Sequence, residues 1–224
     1  MAVVLLVRHG QASFDGPDYD VLSGIGERQS AVVGRRLAGL GVSRLVHGGL
    51  RRQTQTADVC LRELGDGVTR VRDDRWDEYD SGPIVERAFP PGSDAPDPAT
   101  EQDPRRAFQQ RFEVAIERWT DGHHDDEYDE TYPAFQARVR DALADLAADL
   151  DRSETAVVAT SGGVIAAVCA QHMGLSAAGW AHLNRVVVNS SLTKLVLGRS
   201  GTTLLTINDH AHLEDQPREL LTYR

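Results

Sequence analysis

Val3-Val4-Leu5-Leu6-Val7 runs directly into Arg8-His9-Gly10. An apolar, β-branched run of this length reads as a buried strand, central in a parallel sheet. It ends abruptly in a cation, an imidazole and a glycine, and the C-terminal end of a strand in an open α/β sheet is where ligands bind. Arginine supplies a planar fork for an anion, histidine can serve as nucleophile or proton carrier, and glycine lets backbone approach closely. The combination at Arg8, His9 and Gly10 points to phosphoryl chemistry.

The rest of the composition fits an ordinary globular protein. At 224 residues, with 41% hydrophobic and 26% charged residues, the chain can build one large domain, or a domain carrying a subdomain. A net charge of -10 argues against nucleic acid and anionic membrane surfaces as partners. It does not argue against phosphate, because a few local arginines decide that. No apolar run reaches membrane-spanning length, and the N-terminal strand lacks the flanks of a signal peptide. Cys60 and Cys169 fall singly on apolar helix faces, as core thiols of a reducing compartment do. A cytoplasmic location is expected.

Outward from the first strand, the chain alternates. A loop covers Gln11 to Leu22, and a helix is expected from Ser23, as N-cap, to Leu40, with Gly41 as its stop. A strand at Arg44–Val46, a helix at Gln53–Leu64 and a strand at Val68–Val71 follow, the pattern of a parallel sheet with helical crossovers. Between Asp73 and Pro104 the prolines and glycines predict an irregular excursion. Helices are expected at Arg105–Trp119 and Tyr132–Leu150, with an acidic loop at Asp121–Asp129. Ser81–Thr131 reads as an insertion covering the ligand edge of the sheet, the natural place for substrate selection. The βα pattern returns with a strand at Thr155–Ala159, the turn Thr160-Ser161-Gly162-Gly163 and an apolar helix at Val164–Met173. Val186–Val188 with Leu192–Leu197, then Thr202–Ile207, read as closing strands, with a hairpin turn at Arg199-Ser200-Gly201. The expected architecture is one α/β domain over residues 1–224, with a largely parallel sheet, helices on both faces and a helical and loop insertion capping the site.

Leu6-Val7-Arg8-His9-Gly10 resembles the signature of the histidine phosphatase superfamily, in the branch that includes the cofactor-dependent phosphoglycerate mutases. Leu50-Arg51-Arg52-Gln53-Thr54-Gln55-Thr56-Ala57 is similar to that family's second motif, in which an arginine precedes a Thr-Ala pair by four residues. That spacing selects Arg52. Trp76-Asp77-Glu78 followed by Gly82 looks like the acid motif and selects Glu78. The resemblance implies hydrolysis of a small phosphate monoester through a phosphohistidine on His9. Arg8 and Arg52 would hold the phosphate oxygens. Glu78 would protonate the leaving alcohol and then activate the water that hydrolyses the intermediate. Neither a metal nor an organic cofactor is implied.

The sequence also departs from the family pattern. Members usually carry a second histidine in a Ser-His-Gly-Gly-like turn, and here Ser161 stands in its place. What remains is a glycine-rich turn at a helix N-terminus, an anion site to which Ser161 and Gly162 would contribute. Gln11 and Ser13 join the list of phosphate-binding candidates by proximity. Ala12 and Asp15 occupy positions where mutases usually place a serine and an asparagine, and Arg105-Arg106 reads as a solvated face rather than a second anion site. Phosphatase chemistry therefore leads. Mutase-like phosphotransfer and a phosphate-ester binding module are the alternatives. His123-His124 with Asp125-Asp126 reads as a solvated loop, not a metal site.

Overall fold

The structure is a computed structural model that describes residues 1–13, 20–91, 93 and 103–223, with backbone only at 104 and 105. The mixed α/β chain carries a six-stranded sheet of order β3-β2-β4-β1-β5-β6. β1 (Ala2–Arg8), β2 (Val42–His47), β3 (Thr69–Arg72) and β4 (Thr155–Thr160) run parallel. β5 (Leu192–Gly198) and β6 (Gly201–Asp209) add an antiparallel hairpin on the far side of β1. The apolar run Val3–Val7 thus lies between β4 and β5, as its composition requires. Leu5, Val7, Leu45, Val157 and Ala159 pack against Val33 and Leu37 of α1 (Gly24–Ala38) and Ala57 and Cys60 of α2 (Arg51–Leu64). Val4, Leu6, Ala156 and Val158 alternate with them and are equally buried on the opposite face.

Helix starts follow their caps. Ser23 accepts from Gly26 N at 3.1 Å and opens α1. Gly26 has a second duty, because the loop after β1 crosses the start of α1 at van der Waals range. A Cβ on Gly10 would lie 2.3 Å from Gly26 O, and one on Gly26 would lie 2.2 Å from Gln11 O. Only hydrogen fits at either position, so the pair fixes how closely the His9 loop approaches α1.

Compact units divide the chain as Met1–Glu78 with Val139–Arg224, and Tyr79–Arg138. The second unit contains α3 (Ser81–Ala88), α4 (Pro104–Thr120) and the first turns of α5 (Tyr132–Asp149). Its centre is aromatic: Tyr79 and Phe135 lie within 5.8 Å, centroid to centroid, of the Trp119 ring, and Trp119 Nε1 donates to Glu130 O.

Several elements differ from expectation. The excursion after Asp73 is not wholly irregular. A 3-10 turn spans Asp74–Trp76, and α3 follows, because Asp80 caps Gly82 N at 3.0 Å and Pro83 sits in the first turn, where its missing N–H costs nothing. Val186–Val188 is not a strand. Ser176 caps α7 (Ala177–Val186), which runs into the β-branched triplet and leaves β5 to begin at Leu192. α2 begins at Arg51, two residues before the expected start, and α6 (Gly162–Met173) begins at Gly162 rather than Val164. Both shifts move candidate site residues into first helical turns. Among the described residues, no helix is long and apolar enough to cross a membrane.

Candidate active site

His9 follows the last residue of β1 and is 6% exposed. Its Nδ1 lies 2.7 Å from the carbonyl oxygen of Gly10. A carbonyl only accepts, so Nδ1 carries the proton and Nε2 presents its lone pair. Arg52 faces that lone pair, with Nε donating to Nε2 at 3.2 Å. The guanidinium is oriented from behind by Asp20, whose Oδ1 accepts from Arg52 Nη1 at 2.6 Å and whose Oδ2 accepts from Arg51 N at 2.8 Å. This pair is largely enclosed, with side chains 13% and 28% exposed.

The spacing of the second motif has a mechanical reason. Arg52 lies in the first turn of α2, and Thr56, one turn on, donates to Arg52 O at 2.8 Å while accepting from Gly10 N at 3.1 Å. The helix carrying the arginine is thereby tied to the loop carrying the histidine, and Ala57 packs into the core beside it. Arg8 is buried, with Nη1 donating to the carbonyl of Val187. Its backbone is braced by Ser190 N to Arg8 O at 2.9 Å. A Cβ on Gly162 would come within 3.5 Å of Arg8 Nε, so the start of α6 lies against this guanidinium.

The three carboxylates around the acid motif do separate jobs. Asp77 Oδ1 accepts from Gly49 N at 2.6 Å and Leu50 N at 3.2 Å, holding the turn into α2. Asp80 caps α3. Glu78 Oε2 accepts from Gly163 N at 2.9 Å, in the first turn of α6. Glu78 thereby meets the glycine-rich turn. Ser161 is the N-cap of α6 yet makes no side-chain cap bond. It is fully buried, and its Oγ accepts from Gln53 Nε2 at 2.8 Å. Gln53 Nε2 and Thr160 Oγ1 also donate to Trp76 O, at 3.2 and 2.6 Å. The start of α2, the end of β4 and the Trp76–Glu78 segment are thus bound to one another.

The structure brings His9, Arg52 and Asp20 into direct contact, sets Gly162 beside Arg8, and joins Glu78 and Ser161 at the start of α6. Gln11 and Ser13 are placed otherwise. Gln11 Oε1 accepts from Ser23 Oγ at 3.1 Å, and Ser13 N donates to Val21 O at 2.7 Å. Among the described residues, no side-chain bond joins either to His9. Asp20 and Gln53 are not legible as site residues: Asp20 stands outside the motifs, and Gln53 lies inside the second one, whose spacing selects only Arg52. Ala12 is buried in a bridge to Leu22. Asp15 and the Arg105 side chain lie outside the described residues.

Cys60 and Cys169 are buried, and desolvation pushes both thiols up to about 12, which keeps them protonated and inert. His124 Nδ1 meets Glu127 Oε1 at 3.0 Å, and among the described residues no group of three or more His, Cys, Asp or Glu is placed to hold a metal. Chemically, the arrangement offers a neutral imidazole with its Nε2 lone pair facing a guanidinium, a second guanidinium by a helix N-terminus, and a carboxylate at that same helix start. Such a set can accept a phosphoryl group and neutralise the charge on its oxygens.

Comparison with known proteins adds a lineage. Residues 4–210 match the model of the histidine phosphatase superfamily (branch 1). A probable phosphoglycerate mutase, GpmB, from Salmonella arizonae is 26% identical over 225 residues, covering 96% of each chain. Among solved structures, YhfR of Bacillus stearothermophilus superposes with a TM-score of 0.70 at 17% identity, covering 96% of this chain and all of that one. A mycobacterial glucosyl-3-phosphoglycerate phosphatase superposes with a TM-score of 0.63 at 21% identity, covering 93% of this chain and 99% of that one.

Proposed function

Because the chain belongs to branch 1 of the histidine phosphatase superfamily, we propose that it hydrolyses small phosphate monoesters through a phosphohistidine on His9. The observation that carries this reading is the pairing of the His9 tautomer with Arg52: Nδ1–H is committed to Gly10 O, and Nε2 faces a guanidinium held by Asp20. As substrate binds, Arg52 Nε moves its N–H from Nε2 to a phosphate oxygen, and the phosphoryl group passes from the ester oxygen to the lone pair of Nε2 in line. Arg52 and Arg8 neutralise the charge on the equatorial oxygens. Glu78, with Oε2 on Gly163 N, carries the proton on its other oxygen to the leaving alcohol and then takes one from the attacking water. Ser161 Oγ accepts from Gln53, which leaves its own O–H as the donor it offers to the phosphate. Substrate choice is assigned to the 81–131 insertion, and the reducing cytoplasm to the working environment, on the sequence reading of each.

One observation keeps mutase chemistry as the second reading: the 26% identical relative bears a mutase name. Against it, a buried Ala12 stands where mutases usually place a substrate-contacting serine. Phosphate release from a panel of monoesters, with and without a bisphosphorylated primer, separates the two. Release independent of primer is the expected result, and transfer that requires primer would establish the mutase.

The panel should include a Ser161 pair. Ser161→His alone forces an imidazole into space filled by the Gln53 carboxamide and should destabilise the fold by about 1–3 kcal/mol. Gln53→Ala with Ser161→His opens that space and restores a ring donor to the phosphate. Its turnover should rise about tenfold over the parent chain. A double variant that folds but turns over no faster would remove Ser161 from the proposed mechanism.

A further inference from the structure

We propose that Thr222, which lies in the C-terminal segment and outside the phosphate site, is a positioning residue that fixes the nucleophilic tautomer of His9. The proposal rests on His9 as nucleophile and concerns what holds it.

Two peptide planes flank Gly10. The first contains His9 C=O and Gly10 N–H, the second Gly10 C=O and Gln11 N–H, and the second carbonyl is the one that accepts from His9 Nδ1. A rotation of that plane would withdraw the acceptor and leave the tautomer to Arg52 Nε alone, the donor that meets Nε2 at 3.2 Å. Both planes are gripped at both ends. Gly10 N donates to Thr56 Oγ1 at 3.1 Å, and His9 O accepts from Asn189 Nδ2 at 3.0 Å. Gln11 N donates to Gln29 Oε1 at 2.8 Å, which turns Gly10 O toward the imidazole.

Asn189 and Gln29 lie on separate elements and meet at one atom. Thr222 Oγ1 donates to Asn189 Oδ1 at 3.0 Å and accepts from Gln29 Nε2 at 2.7 Å. Amide donors and acceptors are thereby sorted. Gln29 must present Nε2 to Thr222 and Oε1 to Gln11, and Asn189 must present Oδ1 to Thr222 and Nδ2 to His9. The hydroxyl of Thr222 is the group that can satisfy both amides at once, because it donates and accepts through a single oxygen. Its backbone is tied into the same junction by Asn189 N donating to Thr222 O at 3.0 Å and Gln29 Nε2 donating to Leu220 O at 2.8 Å. Leu220 packs with Val32, Val188 and Leu213, which anchors the segment in the core. Gln29 is fully buried and Asn189 is 5% exposed, so water does not readily replace a lost partner.

The test uses Thr222→Val, which keeps shape and removes the hydroxyl, and Thr222→Ser, which keeps the hydroxyl. Thr222→Val should lower kcat about tenfold with KM within about twofold, and Thr222→Ser should return kcat to within about twofold of the parent. A second readout is independent of turnover. Nitrogen-15 NMR of the His9 ring, assigned by its absence in His9→Asn, should give a single Nδ1–H tautomer in the parent and a mixture in Thr222→Val. No turnover in the parent would fail the phosphatase reading and leave the ring spectra to decide the role of Thr222. A pure Nδ1–H tautomer in Thr222→Val would overturn the proposal, and so, where the parent turns over, would a parent-like kcat in Thr222→Val.

Discussion

His9→Asn should release no phosphate above background from any monoester the parent hydrolyses, a loss of at least about ten-thousand-fold. Asparagine is chosen because its amide can still donate to Gly10 O, so the loop around Gly10 keeps its partners while the Nε2 lone pair disappears. The fold should survive, since β1 is held by β4 and β5 along its whole length upstream of this residue. Continuous phosphate assay of parent and variant at equal concentration reads the difference. A variant retaining more than about a hundredth of parent turnover would place the nucleophile elsewhere.

Arg52→Lys should lower kcat by about a hundred- to a thousandfold, the cost of losing a preorganised donor to the transferring phosphoryl group. A lysine keeps the charge but offers its donors from a single nitrogen, so it cannot reproduce the planar fork that meets His9 and Asp20 through separate nitrogens. In the parent chain these bonds are made by Nε at 3.2 Å and Nη1 at 2.6 Å. Because Asp20 also fixes Arg51 N, the lysine loses the orientation that the carboxylate imposes. Steady-state kinetics on the best panel substrate checks this. A variant with parent-like kcat and only a raised KM would reduce Arg52 to ground-state binding.

Much of this is legible in the sequence. A β-branched run ending in Arg8-His9-Gly10 can be satisfied inside a sheet, with the polar residues at its C-terminal rim, and β1 lies inside a mostly parallel one, parallel to β4 and antiparallel to β5. The four-residue step from Arg52 to Thr56 is one helical turn, which is why the motif survives as a spacing. Trp76-Asp77-Glu78 points to Glu78 by resemblance, but the backbone partners of the two carboxylates are not legible: Asp77 accepts from Gly49 N and Leu50 N, and Glu78 from Gly163 N.

What escaped the sequence is chemistry made by contact across the fold. Gln53 and Ser161 lie over a hundred residues apart and have no periodicity that links them, yet their bond fills the place where the resemblance leads one to seek a ring. Asn189 and Thr222 reach His9 from the other end of the chain. The misread elements have local causes. Val186–Val188 is β-branched and reads as strand, but the preceding turn is capped by Ser176, and cooperative helix extension from that cap carries the backbone to Val186. The Asp80-Ser81-Gly82-Pro83 stretch reads as a loop because glycine and proline punctuate it, although the same residues open α3.

The most direct test of the central claim is a rapid-quench experiment with phosphorus-32-labelled substrate, stopped in alkali, followed by peptide mapping of the protein. The mechanism requires an acid-labile, base-stable phosphoryl group on Nε2 of His9, formed at least as fast as phosphate is released and absent from His9→Asn. Turnover without a phosphoenzyme, or with the label on any other residue, would contradict it.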